Sequence, residues 1–194
     1  MKIAVFASGN GSNFEVIAQA VAAGQIEAEL TLLFCDNPKA FVLNRGEKHD
    51  VKTLCFSPKD FNNKTEYEKE LTKIMLEHQI DLIVLAGYMR IIGPTLLDAF
   101  PNRIINIHPS LLPSFPGLHG IKDAYDYGVK ITGITIHYID AGVDTGPIIA
   151  QAATPILPED TLESLEEKIH QLEHHWYPKV LADITRKRSL TEND

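Results

Sequence analysis

Along the first half of the chain, short apolar runs rich in β-branched residues alternate with stretches whose apolar positions recur at helical spacing. The runs lie at Lys2 to Ser8, Glu29 to Cys35, Val51 to Phe56, Asp81 to Ala86 and Arg103 to Ile107. Such alternation marks a parallel sheet flanked by helices. Between the runs, Phe14 to Gly24 reads as a helix ended by its glycine. Lys64 to Gln79 carries apolar residues at Tyr67, Leu71, Ile74 and Met75, the repeat of one helical face.

After Ile107 the pattern changes. A proline-rich segment, His108 to Gly120, leads to a short helix and then to two strand-like runs, Ile131 to Asp140 and Gly146 to Leu157, joined by Ala141 to Thr145. An amphipathic helix from Glu159 to Ile184, opened by Pro158 and Asp160, closes the chain ahead of a polar tail over 186–194. The predicted fold is a single α/β domain over 1–194. Its sheet is open, twisted and mostly parallel with helices on both faces, Rossmann-like over 1–100 and with mixed or antiparallel strands over 101–185. The proline-rich loop reads as the wall of a site and not as a domain boundary.

Composition narrows function more than fold. The 194 residues carry 18 Lys plus Arg against 26 Asp plus Glu, a net charge of −8. Such a surface does not concentrate nucleic acid or anionic membrane, although a local basic pocket for one small anion remains compatible with it. Nowhere do about 18 apolar residues follow one another, and the N-terminal apolar run is broken by Gly9 and Asn10 too soon for a signal peptide. Cys35 and Cys55 are too few for a metal cage or a disulfide framework, and both are expected to pack as buried small hydrophobes. The expected setting is a reducing cytoplasm.

The segment Ser8-Gly9-Asn10-Gly11-Ser12-Asn13 falls between the first strand and the first helix, at the carboxyl ends of the strands where open α/β sheets bind ligands. Two glycines let the backbone turn and approach an anion, and the amides of Gly11, Ser12 and Asn13 are unpaired donors at a helix start. A dinucleotide fingerprint would want a third glycine where Phe14 stands, and a triphosphate loop would want Gly-Lys-Ser/Thr. A phosphate monoester is the better fit. Asp36, at the end of the second run, keeps a nicotinamide cofactor as the lesser alternative.

Asn106 and His108 flank Ile107 at the end of a buried run, so both polar side chains point to one face at a sheet terminus. Taken singly, His108 is a core or cap histidine and Asp144 a turn aspartate. Together they suit acyl transfer without a covalent nucleophile. The Asn106 amide can donate to an oxyanion, His108 can give a proton, and a carboxylate at Asp144 favours the charged ring.

Five blocks then carry a specific resemblance. They are Ser8 to Asn13, Leu85-Ala86-Gly87-Tyr88-Met89-Arg90, Asn106-Ile107-His108-Pro109-Ser110-Leu111-Leu112-Pro113, Pro116-Gly117-Leu118-His119 and Asp144-Thr145-Gly146-Pro147. In order and spacing, over nearly the whole chain, they resemble the phosphoribosylglycinamide formyltransferases, folate-dependent enzymes of purine synthesis with the formyltransferase fold. The resemblance implies transfer of a formyl group from 10-formyltetrahydrofolate, a cosubstrate, to the amine of glycinamide ribonucleotide without a metal. It implies that Asn106, His108 and Asp144 are catalytic, and that Gly11, Ser12 and Asn13 hold the ribonucleotide phosphate, with Glu173 recognising the rest of that substrate. The folate side would comprise Lys64, Met89, Arg90, Ile91, Ile92, Asn106, Ile139, Asp140 and Asp144. Without the resemblance, Met89, Ile91 and Ile92 would pass for ordinary core, and Glu173 for a solvated helix face.

Two departures from the family pattern stand out. Lys64 keeps a charge where the family often has Arg but lacks the planar fork, and His170 stands where some members have Gln. His170 and His174 share a helical face, yet no third ligand accompanies them, so a metal is not expected. Formyltetrahydrofolate hydrolase would use the same three residues but usually has an N-terminal regulatory domain. Methionyl-tRNA formyltransferase needs a C-terminal RNA-binding domain, and both fit this length poorly. A non-catalytic phosphate-ligand sensor would have no use for Asn106, His108 and Asp144 together. Small-molecule substrates, and a monomer or homodimer, are the expected state.

Overall fold

The computed structural model describes residues 1–191. In chain order the elements are β1 (Lys2–Ala7), α1 (Ser12–Ala22), β2 (Glu29–Cys35), α2 (Val42–Lys48), β3 (Thr53–Cys55), α3 (Lys64–Glu77), β4 (Leu82–Leu85), α4 (Pro94–Ala99), β5 (Ile104–His108), α5 (Gly120–Tyr127), β6 (Ile131–Tyr138), β7 (Ile148–Pro155) and α6 (Leu162–Thr191). The strands form one sheet in the order β3-β2-β1-β4-β5-β6-β7. The first five are parallel, whereas β6 runs antiparallel to both β5 and β7. The open, mostly parallel sheet with antiparallel C-terminal strands is thus the predicted one.

Strand pleating divides the core in two. Ile3, Val5, Ala7, Leu33, Leu82, Val84, Ile105 and Ile107 face α1 and α6, where Phe14, Ile17, Leu165, Ile169 and Tyr177 pack on them. Ala4, Phe6, Leu32, Phe34, Ile83, Leu85 and Ile104 face α3 and α4, meeting Tyr67, Leu71, Met75 and Leu96. Both faces are covered, which is why these strands read as continuous apolar runs instead of alternating ones.

The chain leaves β1 toward β2 and β3 on one side and returns to β4 on the other. The resulting switch point lies between the carboxyl ends of β1 and β4, the crevice in which such sheets bind ligands. Ser8 laces that crevice, its N–H donating to Gly87 O (3.1 Å) and its Oγ accepting from Met89 N (2.9 Å).

Three expectations are corrected. The polar tail anticipated from Arg186 is helix through Thr191, because α6 continues past Ile184; positions 192–194 lie outside the described residues. Helix α6 also begins later than Glu159, since Asp160 closes a turn by accepting from Leu157 N at 2.7 Å. Cys35 is buried as expected, but its register partner Cys55 on β3 is exposed, β3 being the last strand of the sheet and therefore uncovered at its outer side. Short helices α2 and α4 had no sequence signal, each spanning two turns or fewer of a weak repeat.

Candidate active site

Strand β5 delivers Asn106 and His108 to the face shared with Ile104, opposite His137 and Thr135 of β6. Asp144 arrives from the β6–β7 connection with its backbone in the left-handed region, φ 54°. Asp140 holds that connection by accepting from Gly142 N (3.0 Å) and Thr145 Oγ1 (2.7 Å). Gly146 is needed there, since a Cβ would overlap Tyr138 O. Asp144 Oδ2 then lies 3.4 Å from His108 Nδ1 and accepts from Gly117 N at 2.8 Å. The three residues anticipated as a group are therefore brought together.

Hydrogen-bond direction fixes where the protons sit. His108 Nε2 is 2.8 Å from the Phe115 carbonyl, which can only accept, so Nε2 carries hydrogen. Its Nδ1 faces the Asp144 carboxylate, so both ring nitrogens look at acceptors. Gly120 permits this placement because a Cβ would come within 3.1 Å of His108 Nε2.

His137, which no sequence motif marks, completes the group. Its Nδ1 donates to Tyr138 O at 2.9 Å, leaving Nε2 to face Asn106 Nδ2 at 3.4 Å and Asp144 Oδ1 at 3.7 Å. Burial pushes the His137 pKa below its ordinary value against the opposing pull of Tyr138 O and Asp144. A neutral ring accepting at Nε2 orients the Asn106 amide with nitrogen toward it and leaves its second N–H to be directed elsewhere. The available signal was the alternation that puts Thr135 and His137 on one face of β6.

At the crevice, Gly11 occupies the cap position of α1 with φ 76°, and no side chain caps that helix. Its missing Cβ is required, because one would overlap Val42 Cγ2. Asn13 is 8% exposed, donates from Nδ2 to Glu173 Oε2 at 3.1 Å, and its Oδ1 finds no hydrogen-bond partner among the described residues. Glu173 is 6% exposed, not the solvated residue its isolated reading suggested. It sits in the buried row Leu165, Ile169, Glu173, Tyr177, Leu181, and a carboxylate interrupting an apolar i, i+4 row was its legible signal. His170 Nδ1 lies 3.0 Å from Glu173 Oε2, and that bond raises the His170 pKa.

The remaining expected positions are distributed unevenly. Met89 and Ile91 are exposed, so they are not ordinary core, whereas Ile92 is buried with Leu96 and Phe100. Arg90 is held at 2.6 Å by buried Asp36, which gives that aspartate a partner of its own on the protein. Ile139 is half-buried and its N–H donates to Ile104 O. Lys64 starts α3 and pairs with buried Glu68 at 3.6 Å, not with the Asn106 group. Among the described residues no cluster of three or more His, Cys, Asp or Glu is arranged to hold a metal, and no helix is long and apolar enough to cross a membrane.

The sequence and fold are similar to those of known proteins across almost the whole chain. Residues 1–181 match the model of the formyl transferase family. The chain is 51% identical over 183 residues to the phosphoribosylglycinamide formyltransferase of Bacillus subtilis, covering 94% of both. It is 41% identical over 191 residues to the trifunctional purine biosynthetic protein adenosine-3 of Drosophila melanogaster, covering 97% of this chain and 14% of that protein. The crystal structure of phosphoribosylglycinamide formyltransferase from Bacillus halodurans superposes with a TM-score of 0.93 at 52% identity, covering 95% of each chain. The match over residues 1–181, together with the identity to the Bacillus subtilis protein and the superposition of the sheet, makes the protein a member of the formyl transferase family.

Proposed function

We propose that Asn106, His108 and Asp144 carry a formyl group from 10-formyltetrahydrofolate to the amine of glycinamide ribonucleotide by direct attack through a tetrahedral intermediate. The observation that carries this reading is the contact of His108 Nδ1 with Asp144 beside an Asn106 amide whose orientation His137 fixes. The N–H of Asn106 not spent on His137 donates to the oxyanion. As the C–N bond to the amine forms and the bond to the folate nitrogen breaks, the amine's proton passes by way of water to the Asp144–His108 pair, which returns a proton to the departing folate nitrogen, Asp144 balancing the ring's charge. Holding both substrates in contact supplies much of the remaining acceleration.

The amides at the start of α1 hold the ribonucleotide phosphate, supported by the uncapped helix and the αL glycine. Buried Glu173 and the open acceptor Asn13 Oδ1 meet hydroxyl or amide donors of the same substrate. On the folate side, exposed Met89 and Ile91 offer apolar surface and Asp36 fixes Arg90, with Ile92, Ile139, Asp140 and Lys64 completing that wall. The proposed setting is the cytoplasm. The test is turnover of 10-formyltetrahydrofolate followed by absorbance with and without glycinamide ribonucleotide. Amine-dependent turnover is the expected result; amine-independent turnover would mean hydrolysis, and no turnover would leave only binding.

A further inference from the structure

The turn after β1 is gripped by its carbonyls. Ser8 O accepts from Asn37 Nδ2 (3.3 Å), Gly9 O from Val42 N (3.1 Å), Asn10 O from Arg45 Nε (2.9 Å) and Gly11 O from Glu15 N (2.9 Å). In a trans peptide the carbonyl and the next N–H point in opposite directions. Anchoring four successive carbonyls on the protein side therefore turns the N–H groups of residues 9–12 the other way, into the arrangement of an anion-binding nest.

Only one of these anchors is a long charged side chain. Arg45 spends three donors in one plane: Nε on Asn10 O, Nη2 on Asn10 Oδ1 at 2.9 Å, and Nη1 on Glu15 Oε2 at 3.0 Å. Its guanidinium also lies 5.0 Å from the Phe41 ring centroid. Glu15 is 8% exposed and is shared with Lys48 at 2.5 Å and His49 at 3.0 Å, so it fixes Arg45 against the turn. We propose that Arg45 is a positioning residue for the ribonucleotide phosphate, holding Asn10 so that the amides of the turn stay directed at the anion. The proposal rests on the phosphate reading of the turn given above.

The experiment compares kcat/KM for glycinamide ribonucleotide with that for the ribonucleoside lacking the phosphate, in the unaltered enzyme, Arg45→Ala and Arg45→Lys. The unaltered enzyme strongly prefers the phosphorylated substrate. In Arg45→Ala that preference falls about tenfold or more, the scale of two lost charge-assisted hydrogen bonds, while KM for 10-formyltetrahydrofolate changes by less than about twofold. Arg45→Lys recovers part of the preference, since an ammonium keeps the charge without the planar fork. A preference unchanged in Arg45→Ala overturns the role of Arg45 and leaves the phosphate site standing; no preference in the unaltered enzyme removes the phosphate reading and the proposal with it. A parallel rise in both KM values, unrelieved by Lys, would mean that Arg45 only props the fold. Should Arg45→Ala fail to fold, Asn10→Ala at the exposed turn carries the test, with about a two- to fivefold loss of preference expected and no loss overturning the proposal.

Discussion

Asn13, in the first turn of α1, donates through its side-chain amide to the carboxylate of Glu173 in the middle of α6, a buried contact of 3.1 Å across 160 positions of sequence. It ties the helix whose start faces the crevice to the one helix that crosses the same face of the sheet from the far end of the chain. Glu173→Gln should therefore raise KM for glycinamide ribonucleotide about tenfold with a smaller change in kcat, the pattern of lost binding shared by ground and transition states. Steady-state kinetics checks it; an unchanged KM would sever Glu173 from the substrate.

The same carboxylate governs His170. Its hydrogen bond raises the His170 pKa above the ordinary value, so the stabilisation is fully present below about pH 6.5 and is lost as pH rises through the raised value. Glu173→Gln should bring the His170 titration back down, as followed by NMR of the imidazole protons. A titration that stays put would place the cause elsewhere.

Asn106→Ala should lower kcat by about 10² or more with little change in melting temperature, the effect of losing an oxyanion donor. Asp144→Asn should cost a similar factor because an amide cannot balance a charged His108, while still accepting from Gly117 N. Near-normal kcat in either variant would remove that residue from the chemistry.

Burial alone would raise the Glu15 pKa, but hydrogen bonds from Lys48 and Arg45, with the His49 ring close by, outweigh it and hold the value at about 2. The stabilisation is present above the ordinary value of 4.5 and is lost as pH falls toward about 2. Glu15→Gln should cost roughly 2–3 kcal/mol at neutral pH and flatten the acid limb of the stability curve in that window. Denaturant melts between pH 2 and 7 decide it: an acid limb of unchanged steepness contradicts the coupling.

Gly11→Ala should destabilise the protein by about 1–3 kcal/mol, since alanine resists a positive φ and its methyl would overlap Val42. Thermal denaturation would show it, and a wild-type midpoint would mean that α2 yields easily.

The one-dimensional pattern was enough for the elements that bury themselves. β1, β2, β4, β5, α1 and α3 are long or uniformly apolar enough that sheet and helix periods are visible without partners, and the run from Glu29 to Cys35 is a strand end to end. The glycine turn and the Asn106, His108 pairing were legible because polarity at a buried strand terminus is costly unless it is used. What the sequence could not decide was which distant groups meet. His137 becomes the orienting partner of Asn106 only because β6 runs antiparallel to β5 in one register. Glu173 is buried only because α6 returns across α1, and Arg45 grips Asn10 only because α2 packs beside the turn. Those choices depend on long-range packing, where the energy of a side chain is set by neighbours that no local spacing encodes.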